Sequence, residues 1–367
     1  REELVQLLLE HIQMTSAAVL ISICIGIPLG ILVTKNKKVS SVVIGIANIM
    51  QSIPSIGLLA FLVPVVGIGQ KPAIIMVIIY ALLPIIKNTY IGITGIQQSA
   101  IESASSIGLT KWRILYTIQI PIAMPYIMAG VRISAVTAVG TVTIAAFAGA
   151  GGLGWLINLG LNANDADLVL LGALPACLLA LVVDFVLGKV ESALTPEGLK
   201  PIDQITNRTK AERKGRTIMA VCLLILILVV PCFAAVYSVF QRKEEKIVVG
   251  SENFTEALIL GNIYSQLIQD QTDIKVEEKF NLNGTMITMS AMERGDIDTF
   301  TDYTGVLISN VLKENMSSDP REVYDSVKKG MEEKYNMQVS DSLGFSNTYV
   351  FAVTQETAEQ YDLTKLS

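Results

Sequence analysis

The sequence contains few of the residues on which catalytic and metal sites are built. It has one histidine, His11, and four cysteines that all lie in apolar runs, namely Cys24, Cys177, Cys222 and Cys232. With no cysteine after residue 245, a disulfide framework is excluded there. The lack of Cys/His clusters argues against a zinc site or a histidine-based triad. The sequence also has no Walker A motif, no nucleophile–base pair and no paired carboxylates. We therefore expect no enzyme activity, no ATP hydrolysis by the chain alone, and no cofactor or metal.

Charge is also scarce, and it is unevenly distributed. Only 17% of the 367 residues are charged and 51% are hydrophobic, with a mean hydropathy of +0.52, which is unusual for a soluble protein. Residues 1–245 contain 18 lysines and arginines against 13 acidic residues, whereas residues 246–367 contain 10 against 20. This split predicts two parts in different environments. Because the first residue is Arg1, we expect a trimmed N-terminus.

Six apolar runs are long enough to cross a bilayer, which takes roughly 20 residues each. They cover approximately Met14–Thr34, Val42–Val66, Pro72–Ile93, Ile122–Ala148, Leu168–Leu187 and Thr217–Phe240. Lysine and arginine concentrate after run one, between runs three and four, and between runs five and six, which predicts that these loops are cytoplasmic. Run six then exits outward as an anchor, or, as a less favoured alternative, as an internal signal whose cleavage frees the following domain. The basic linker Leu199–Arg216 is expected to follow the membrane surface, attracted to anionic lipid.

One predicted cytoplasmic loop, Glu102–Pro121 (ESASSIGLTKWRILYTIQIP), combines an amphipathic pattern with a glycine break. Gly108 divides it into two short helices, and Pro121 closes it before the next membrane helix. Apolar residues at three- and four-residue steps form one face that can dock in a groove, namely Leu109, Trp112, Leu115 and Tyr116. The alternative is an ordinary surface loop with a helical turn.

This loop resembles the EAA loop of bacterial ABC importer permeases, whose spaced positions are occupied here by Glu102, Ala104, Gly108, Ile118 and Pro121. Ser103 and Ile120 replace the usual alanine and leucine. The resemblance implies an α-helical type I permease whose coupling helix sits in a cleft of a separate ATPase. We assign this coupling to Glu102, Ala104, Gly108, Leu109, Trp112 and Pro121. It also implies a homodimer of this chain with an ATPase dimer that binds ATP and Mg²⁺.

Polar residues interrupt two of the membrane runs. Run two contains Gln51, Ser52, Pro54 and Ser55, and such a break survives only where protein or a water-filled cavity satisfies the backbone. It is either a pore-lining or gating element or a structural kink. Arg132 in run four is costly to bury unless it is paired. It either pairs with Asp184 of run five or extends to the cytoplasmic face, and we favour a structural role.

A glycine-rich turn follows run four on the predicted outer side and contains Gly149, Gly151, Gly152 and Gly154. It is not a phosphate loop, because no Gly-Lys-Ser/Thr sequence follows. The permease resemblance places this turn near the interface with the binding protein.

The acidic segment from Lys246 alternates strand and helix patterns. Strands are predicted over Lys246–Gly250, Ile274–Phe280, Asp298–Phe300 and Tyr349–Val353. Helices are predicted over approximately Thr255–Gln269, Thr285–Arg294, Gly305–Leu312 and Pro320–Tyr335. The alternation indicates an open α/β sheet that binds ligands outside the carboxyl ends of its strands.

Four motifs follow these strands: GSENFTE (Gly250–Glu256), NGT (Asn283–Thr285), DTFTDYTGV (Asp298–Val306) and FSNTYVFAV (Phe345–Val353). Together they resemble the periplasmic-type binding proteins for quaternary amines such as glycine betaine, carnitine and choline. Those proteins have two lobes. We therefore expect this truncated segment to hold the first lobe and the start of the second.

The chemistry of these motifs suits a trimethylammonium group, which cannot donate hydrogen bonds and is held by aromatic faces. The available aromatic residues are Phe254, Tyr303 and Tyr349, and the hydroxyl and amide donors for a ligand carboxylate are Ser251, Asn253, Thr285, Thr304, Asn347 and Thr348. Asp302 is also assigned to substrate binding. Each residue also has a structural alternative: core for Phe254, helix cap for Asn253, solvated charge for Asp302.

The combined prediction is a permease fused to its binding domain. Residues 1–200 form the permease, residues 201–245 the linker and anchor, and residues 246–367 the extracellular binding domain. This arrangement resembles that of fused bacterial ergothioneine importers, and the resemblance implies ergothioneine slightly ahead of glycine betaine, carnitine and choline as the solute. A Gram-positive plasma membrane is expected, and no nucleic-acid partner. The alternatives are a ligand-gated channel and a membrane sensor.

Overall fold

The computed structural model describes residues 2–199, 215, 246–347 and 353–362. It contains two compact units, the first ending at Thr301 and the second beginning at Asp302. The first unit holds a helical bundle and an α/β lobe (residues 246–301), and the second holds the helices that follow. The sixth predicted run, Thr217–Phe240, lies outside the described residues.

Three long helices form the centre of the bundle: α1 (Glu2–Val33), α4 (Gln70–Thr94) and α7 (Ile120–Ala145). They coincide with the first, third and fourth apolar runs, and α4 packs along both α1 and α7. The approach of α4 to α7 is close, since a Cβ atom added at Gly130 would lie 2.8 Å from the carbonyl oxygen of Pro84. Small residues at such crossings are typical of helix packing in membranes.

The second run forms two helices, α2 (Lys37–Ser52) and α3 (Ser55–Val66), which meet at a bend of 95°. Asn36 begins α2, because its side-chain oxygen accepts hydrogen bonds from the backbone N–H groups of Lys38 (2.9 Å) and Val39 (3.4 Å). At the bend, the hydroxyl of Tyr80 donates a hydrogen bond to the carbonyl oxygen of Ile53. A side chain of α4 therefore satisfies a backbone group at the break.

The fourth run is preceded by α5 (Gln98–Ser106) and α6 (Lys111–Ile114), and a π-helical turn, Leu115–Gln119, joins α6 to α7. Two helices separated at Gly108 agree with the sequence pattern. Pro121, however, does not end a separate element, because the chain stays helical from Lys111 into α7. Pro121 is the second residue of α7 and follows the π-helical turn by one residue, where the hydrogen-bond pattern of the helix shifts and a residue without an N–H is accommodated.

The described part of the bundle also contains α8 (Leu153–Ala163) and α9 (Ala166–Leu194), and α9 packs on both α7 and α8. Asp165 begins α9, since its carboxylate accepts from the N–H groups of Asp167 (2.9 Å) and Leu168 (3.2 Å). Within the described residues, four helical segments can cross a membrane by length and composition, and the bent pair α2–α3 makes a fifth if it is counted as one span.

The α/β lobe contains two parallel strands, β1 (Lys246–Glu252) and β2 (Lys275–Leu282), joined by α10 (Thr255–Gln271) and followed by α11 (Thr285–Glu293). Lys246 pairs with Lys275 and Gly250 with Lys279. All four elements match the sequence prediction to within a few residues. The order is that of a βαβ unit, which brings the carboxyl ends of both strands to one edge.

The predicted third strand, Asp298–Phe300, is reduced to one parallel bridge between Val249 and Thr299. Three backbone hydrogen bonds remain: the carbonyl oxygen of Val248 accepts from the N–H groups of Asp298 (2.8 Å) and Thr299 (3.3 Å), and that of Thr299 accepts from Gly250 (2.7 Å). The N–H of Val248 donates instead to the carboxylate of Asp298 (2.7 Å). The Asp298 side chain therefore occupies a backbone donor of β1 that would bond to the third strand if that strand were longer.

The second unit begins with α12 (Thr304–Val306), which continues as a π-helical turn over Leu307–Leu312, and then contains α13 (Pro320–Tyr335) and α14 (Gln355–Gln360). Asp319 begins α13 by accepting from the N–H of Arg321 (2.9 Å). The first two helices match the predicted ones. The predicted strand Tyr349–Val353 lies almost entirely outside the described residues.

Candidate functional site

The loop between α4 and α7 exposes an aromatic surface. Trp112 and Tyr116 are each 63% exposed, and their rings stack with centroids 6.1 Å apart. The ammonium of Lys35 at the end of α1 lies 5.5 Å from the centre of the Trp112 ring. Large apolar side chains that remain exposed together are typical of an interaction surface. We call Ile107, Trp112 and Tyr116 the loop surface.

The predicted coupling residues occupy different positions within this loop. Glu102 is exposed, Ala104 is buried, and Leu109 and Pro121 are half-buried. Gly108 has a φ of +85°, in the left-handed region that favours glycine. Thr110 then begins α6 by accepting from the N–H of Arg113 (3.4 Å). The glycine turn thus separates α5 from the segment that carries the two exposed rings.

Ile107 is a member of the loop surface that sequence reasoning missed. It is 78% exposed and lies directly before Gly108. The signal available in the sequence was an isoleucine at the end of a polar stretch, next to a predicted helix break.

The predicted gate residues lie at the bend between α2 and α3. Gln51 and Ser52 end α2, Pro54 precedes α3, and Ser55 begins it. The hydroxyl of Ser52 donates to the carbonyl oxygen of Ile49 (2.7 Å) within its own helix. The structure therefore brings all four residues together at one break in a membrane segment, where non-helical backbone needs protein or water as a partner.

Of the two alternatives for Arg132, the structure shows the pairing with Asp184. The guanidinium of Arg132 on α7 donates from Nε to one carboxylate oxygen of Asp184 (2.5 Å) and from Nη2 to the other (2.7 Å). A carboxylate oxygen of Glu191, one further residue of α9 that the prediction did not include, lies 3.6 Å from Nη1. The planar fork of arginine suits this arrangement.

Four of the predicted ligand residues lie in the α/β lobe at the carboxyl ends of its strands. Ser251 is fully buried, and its hydroxyl accepts from the N–H of Asn281 (3.4 Å). Asn253 donates from its side chain to that of Asn283 (2.8 Å). Thr285 is buried at the start of α11, and Phe254 is half-buried before α10. Of these four, Asn253 and Phe254 keep the more exposed side chains.

The other predicted ligand residues belong to the second unit. Tyr303 and Phe345 make an edge-on ring contact with centroids 6.2 Å apart. Asp302 accepts from the N–H of Tyr303 (2.6 Å), and Asn347 is exposed. Thr304 is half-buried at the start of α12, and Thr348 and Tyr349 lie outside the described residues. Phe345 was not assigned to the aromatic cage, although it opens one of the four motifs.

The α/β lobe contacts the glycine-rich turn of the bundle. Leu282 is fully buried at the end of β2, and a Cβ atom at Gly149 would lie 2.8 Å from its side chain. The N–H of Asn283 donates to the carbonyl oxygen of Phe147 (3.2 Å). From α8, the Asn158 side chain donates to the carbonyl oxygen of Asn281 (3.5 Å). The turn therefore lies at the contact between bundle and lobe, as the permease resemblance implied.

Two families match different parts of the chain. Residues 26–246 match the family described as binding-protein-dependent transport system inner membrane component. Residues 245–367 match the substrate binding domain of ABC-type glycine betaine transport system. The chain belongs to the family of binding-protein-dependent transport system inner membrane components. In this inner membrane component, the binding domain follows the permease in the same polypeptide.

The relatives of this chain match it over different lengths. The carnitine transport permease protein OpuCB of Listeria monocytogenes is 45% identical over 191 residues, which are 52% of this chain and 88% of that protein. The ergothioneine transport permease/ergothioneine binding protein EgtU of Helicobacter pylori (strain G27) is 30% identical over 346 residues, which are 93% of this chain and 60% of that protein. An inward-facing structure of the MetNI methionine ABC transporter covers 53% of this chain at 26% identity, with a TM-score of 0.48.

Membership in the family agrees with the apolar helices of the bundle. The chain is a multi-pass permease of the plasma membrane joined to a substrate-binding domain of ABC importers. A transport component of this kind binds and passes its solute without converting it chemically, which agrees with the few catalytic residue types in the sequence.

Proposed function

We propose that the chain is the permease and receptor subunit of an ATP-driven importer for a small trimethylammonium solute, with ergothioneine slightly favoured. The observation that carries this proposal is the continuous match of 93% of the chain to a protein described as ergothioneine transport permease/ergothioneine binding protein. This chain spans about 60% of that relative.

The energy for transport comes from a partner that binds ATP and Mg²⁺. The loop surface supports this part of the proposal, because two stacked aromatic rings and Ile107 are exposed beside the glycine turn. Such anchors fill hydrophobic clefts of partner proteins. A cytoplasmic ABC ATPase dimer would take one loop from each copy of a homodimer of this chain, with Glu102, Ala104, Gly108, Leu109, Trp112 and Pro121 in the coupling unit.

The solute is held by aromatic faces and by hydroxyl and amide donors. Tyr303 with Phe345 forms one aromatic wall, and Tyr349 and Phe254 are assigned to others. Each cation–π contact contributes about 0.5–2 kcal/mol, depending on how far the cation is desolvated. The donors for the carboxylate are assigned to Ser251, Asn253 and Thr285 of the α/β lobe and to Thr304, Asn347 and Thr348 further along the chain. Asp302, whose ionised side chain is an acceptor and not a donor, is assigned to ligand binding without a contact to the carboxylate.

The binding domain faces the outside, and the bend in the second membrane segment forms the gate. The basic residues Lys35, Lys37 and Lys38 support a cytoplasmic position for the end of α1, because basic residues favour the cytoplasmic side. The opposite end of the bundle then carries the lobe, as an importer requires. The break at Gln51, Ser52, Pro54 and Ser55 lies within a span, where it can line a path for the solute.

Calorimetric titration of the full-length protein in nanodiscs tests the substrate class. Ergothioneine, glycine betaine, carnitine and choline are each titrated under the same conditions. We expect saturable heat for ergothioneine, and a preference for one of the osmolytes would redirect the substrate within the same class. Absence of binding to all four would contradict the trimethylammonium assignment.

A further inference from the structure

Two charged side chains of the α/β lobe reach the end of a membrane helix. The guanidinium Nη1 of Arg294 donates to the carbonyl oxygens of Pro64 (3.2 Å) and Val65 (3.0 Å) at the end of α3. The carboxylate of Asp296 accepts from the backbone N–H of Ile68, two residues beyond α3 (3.3 Å). Arg294 and Asp296 also pair with each other, with 3.4 Å between Nε and Oδ2. We call these two residues the clamp.

The clamp is chemically matched to the end of this helix. The last carbonyl groups of a helix have no partner within it and carry the negative end of its dipole, so a guanidinium is the favoured donor there. The N–H of Ile68 is instead a donor that needs an acceptor, and the carboxylate of Asp296 supplies it. The cationic side chain therefore binds backbone carbonyl oxygens, and the anionic side chain binds a backbone N–H, all within residues 64–68.

Glycine makes this fit possible. Gly67 has a φ of +89°, and a Cβ atom added there would lie 2.5 Å from Oδ2 of Asp296. The position therefore needs glycine both for its backbone conformation and for the close approach of the carboxylate.

A shared hydrophobic core lies under the clamp. Leu59 and Val63 of α3 belong to the same buried cluster as Ala291 and Ile297 of the α/β lobe. Helix α11 packs on α3. The lobe therefore holds α3 by buried apolar contacts as well as by hydrogen bonds.

The opposite end of α3 is the bend at Ile53 and Pro54. The twelve residues of α3 form a helix about 18 Å long. One end is held by the lobe and the other lies at the predicted gate. Pro64, the one proline inside α3, lies in its last turn beside the clamp, and a helix is stiff over the turns that remain, so it can carry a displacement from the clamp to the bend.

We propose that Arg294 and Asp296 are positioning residues of the transport reaction, which couple the α/β lobe to the bend between α2 and α3. Movement of the lobe turns α3 about the Ile53–Pro54 break and changes the path that this break lines. The coupling to transport rests on the proposed importer function. The mechanical link from the clamp to the bend does not, and it is tested separately.

Hydrogen–deuterium exchange of the full chain in nanodiscs tests the link without ligand or ATPase. The double variant Arg294→Ala/Asp296→Ala is compared with the wild type at two segments, residues 63–69 at the clamp and residues 50–58 at the bend. Amide exchange occurs from locally opened states, and a loss of about 1–2 kcal/mol in the free energy of opening raises the exchange rate about 5–30-fold. We expect faster exchange at both segments. Arg321→Ala, which removes an exposed arginine of the second unit, is the control and should change neither.

The possible results are distinguishable. Faster exchange at residues 63–69 alone would show that the clamp only fastens the lobe, and it would overturn the coupling to the bend. No change at either segment would overturn the clamp itself. Gly67→Ala displaces Asp296 from the permease side and leaves the lobe sequence intact. It should raise exchange at residues 50–58 as the double variant does, which separates loss of the clamp from misfolding of the lobe. Only this segment is compared for Gly67→Ala, because an alanine at a φ of +89° disturbs residues 63–69 by itself.

Transport provides the final comparison. In calorimetry the double variant should bind solute like the wild type. With the partner ATPase, however, it should lose most of the ATP-dependent uptake of that solute. Full uptake by the double variant would overturn the coupling role. Absence of uptake by the wild type would contradict the proposed function, whereas the exchange results on the clamp would stand by themselves.

Discussion

Arg132 on α7 and Asp184 on α9 form a forked ion pair in which both guanidinium–carboxylate distances are at most 2.7 Å. The pair lies within two segments that are long and apolar enough to span a membrane. Ionised side chains within such segments are stabilised by one another, and removal of Arg132 would leave the carboxylates of Asp184 and Glu191 without their cation. The pair therefore fixes α9 against α7.

The first prediction follows from this pair. Arg132→Gln removes the cation that serves both Asp184 and Glu191, so we expect a lower Tm of the detergent-solubilised protein. The double variant Arg132→Gln/Asp184→Asn removes charge from both helices and should recover part of the loss. Thermal unfolding monitored by size-exclusion chromatography measures both, and a single variant as stable as the wild type would contradict the structural role.

The second prediction concerns the loop surface. Trp112→Ala/Tyr116→Ala should leave Tm nearly unchanged, since both rings are largely exposed. We expect it to reduce ATPase-driven uptake by about 10-fold or more, because exposed aromatic anchors often contribute 2 kcal/mol or more at an interface. Tyr361→Ala removes an exposed tyrosine of the second unit and serves as the control. Uptake that survives the loop variant would place the ATPase contact elsewhere.

The third prediction concerns the aromatic wall. Tyr303→Ala should weaken solute binding about 2–30-fold, which corresponds to about 0.5–2 kcal/mol for one cation–π contact. Phe345→Ala should act in the same direction, since the two rings are in contact. Tyr303→Phe keeps the ring face and should bind almost like the wild type. Equal losses for Tyr303→Phe and Tyr303→Ala would assign the effect to the hydroxyl instead.

The fourth prediction is a pH dependence in the α/β lobe. Glu277 of β2 accepts from the ammonium groups of Lys246 and Lys279, the latter at 2.7 Å. Burial alone would raise the pKa of this carboxyl, but the two lysines outweigh burial and hold the pKa below its ordinary value of 4.5. The stabilisation is therefore complete above that ordinary value and is lost as the pH falls through the folded-state pKa.

Glu277→Gln should thus destabilise the lobe by about 0.5 kcal/mol at neutral pH, a small value because the side chain is 31% exposed and screened by solvent. The difference from wild type should shrink as the pH is lowered below the ordinary carboxyl range. Calorimetric Tm values across this pH range measure it. Glu278→Gln, at the exposed neighbouring position, is the control, and a pH-independent difference would contradict the pairing.

Local pattern was sufficient to predict most elements. Apolar runs located the long helices, and the alternation after Lys246 located β1, α10, β2 and α11. The third strand was predicted too long, because the Asp298 side chain competes for the N–H of Val248. Pro121 was predicted to close the loop, but a π-helical turn carries the helix past it.

Contacts between distant segments were harder to predict. The Arg132–Asp184 pair could be anticipated because charge is rare in apolar runs and has few possible partners. Arg294 and Asp296 lie in a charged segment where nothing in the local pattern distinguishes them. Their partners are mainly backbone groups at the end of α3. Because every residue has a carbonyl group and nearly every residue an N–H, such partners leave no signal in the sequence. Ligand residues at strand ends could be proposed from motifs, but the buried hydrogen bond of Ser251 depends on the fold.

Uptake into proteoliposomes tests the importer account most directly. The full-length protein is reconstituted with its ABC ATPase, and accumulation of labelled ergothioneine, glycine betaine, carnitine and choline is measured with and without ATP, alongside Trp112→Ala/Tyr116→Ala. We predict ATP-dependent accumulation of at least one trimethylammonium solute, ergothioneine first, and its loss in the loop variant. Binding without ATP-dependent accumulation of any of the four would contradict the importer and favour a sensor.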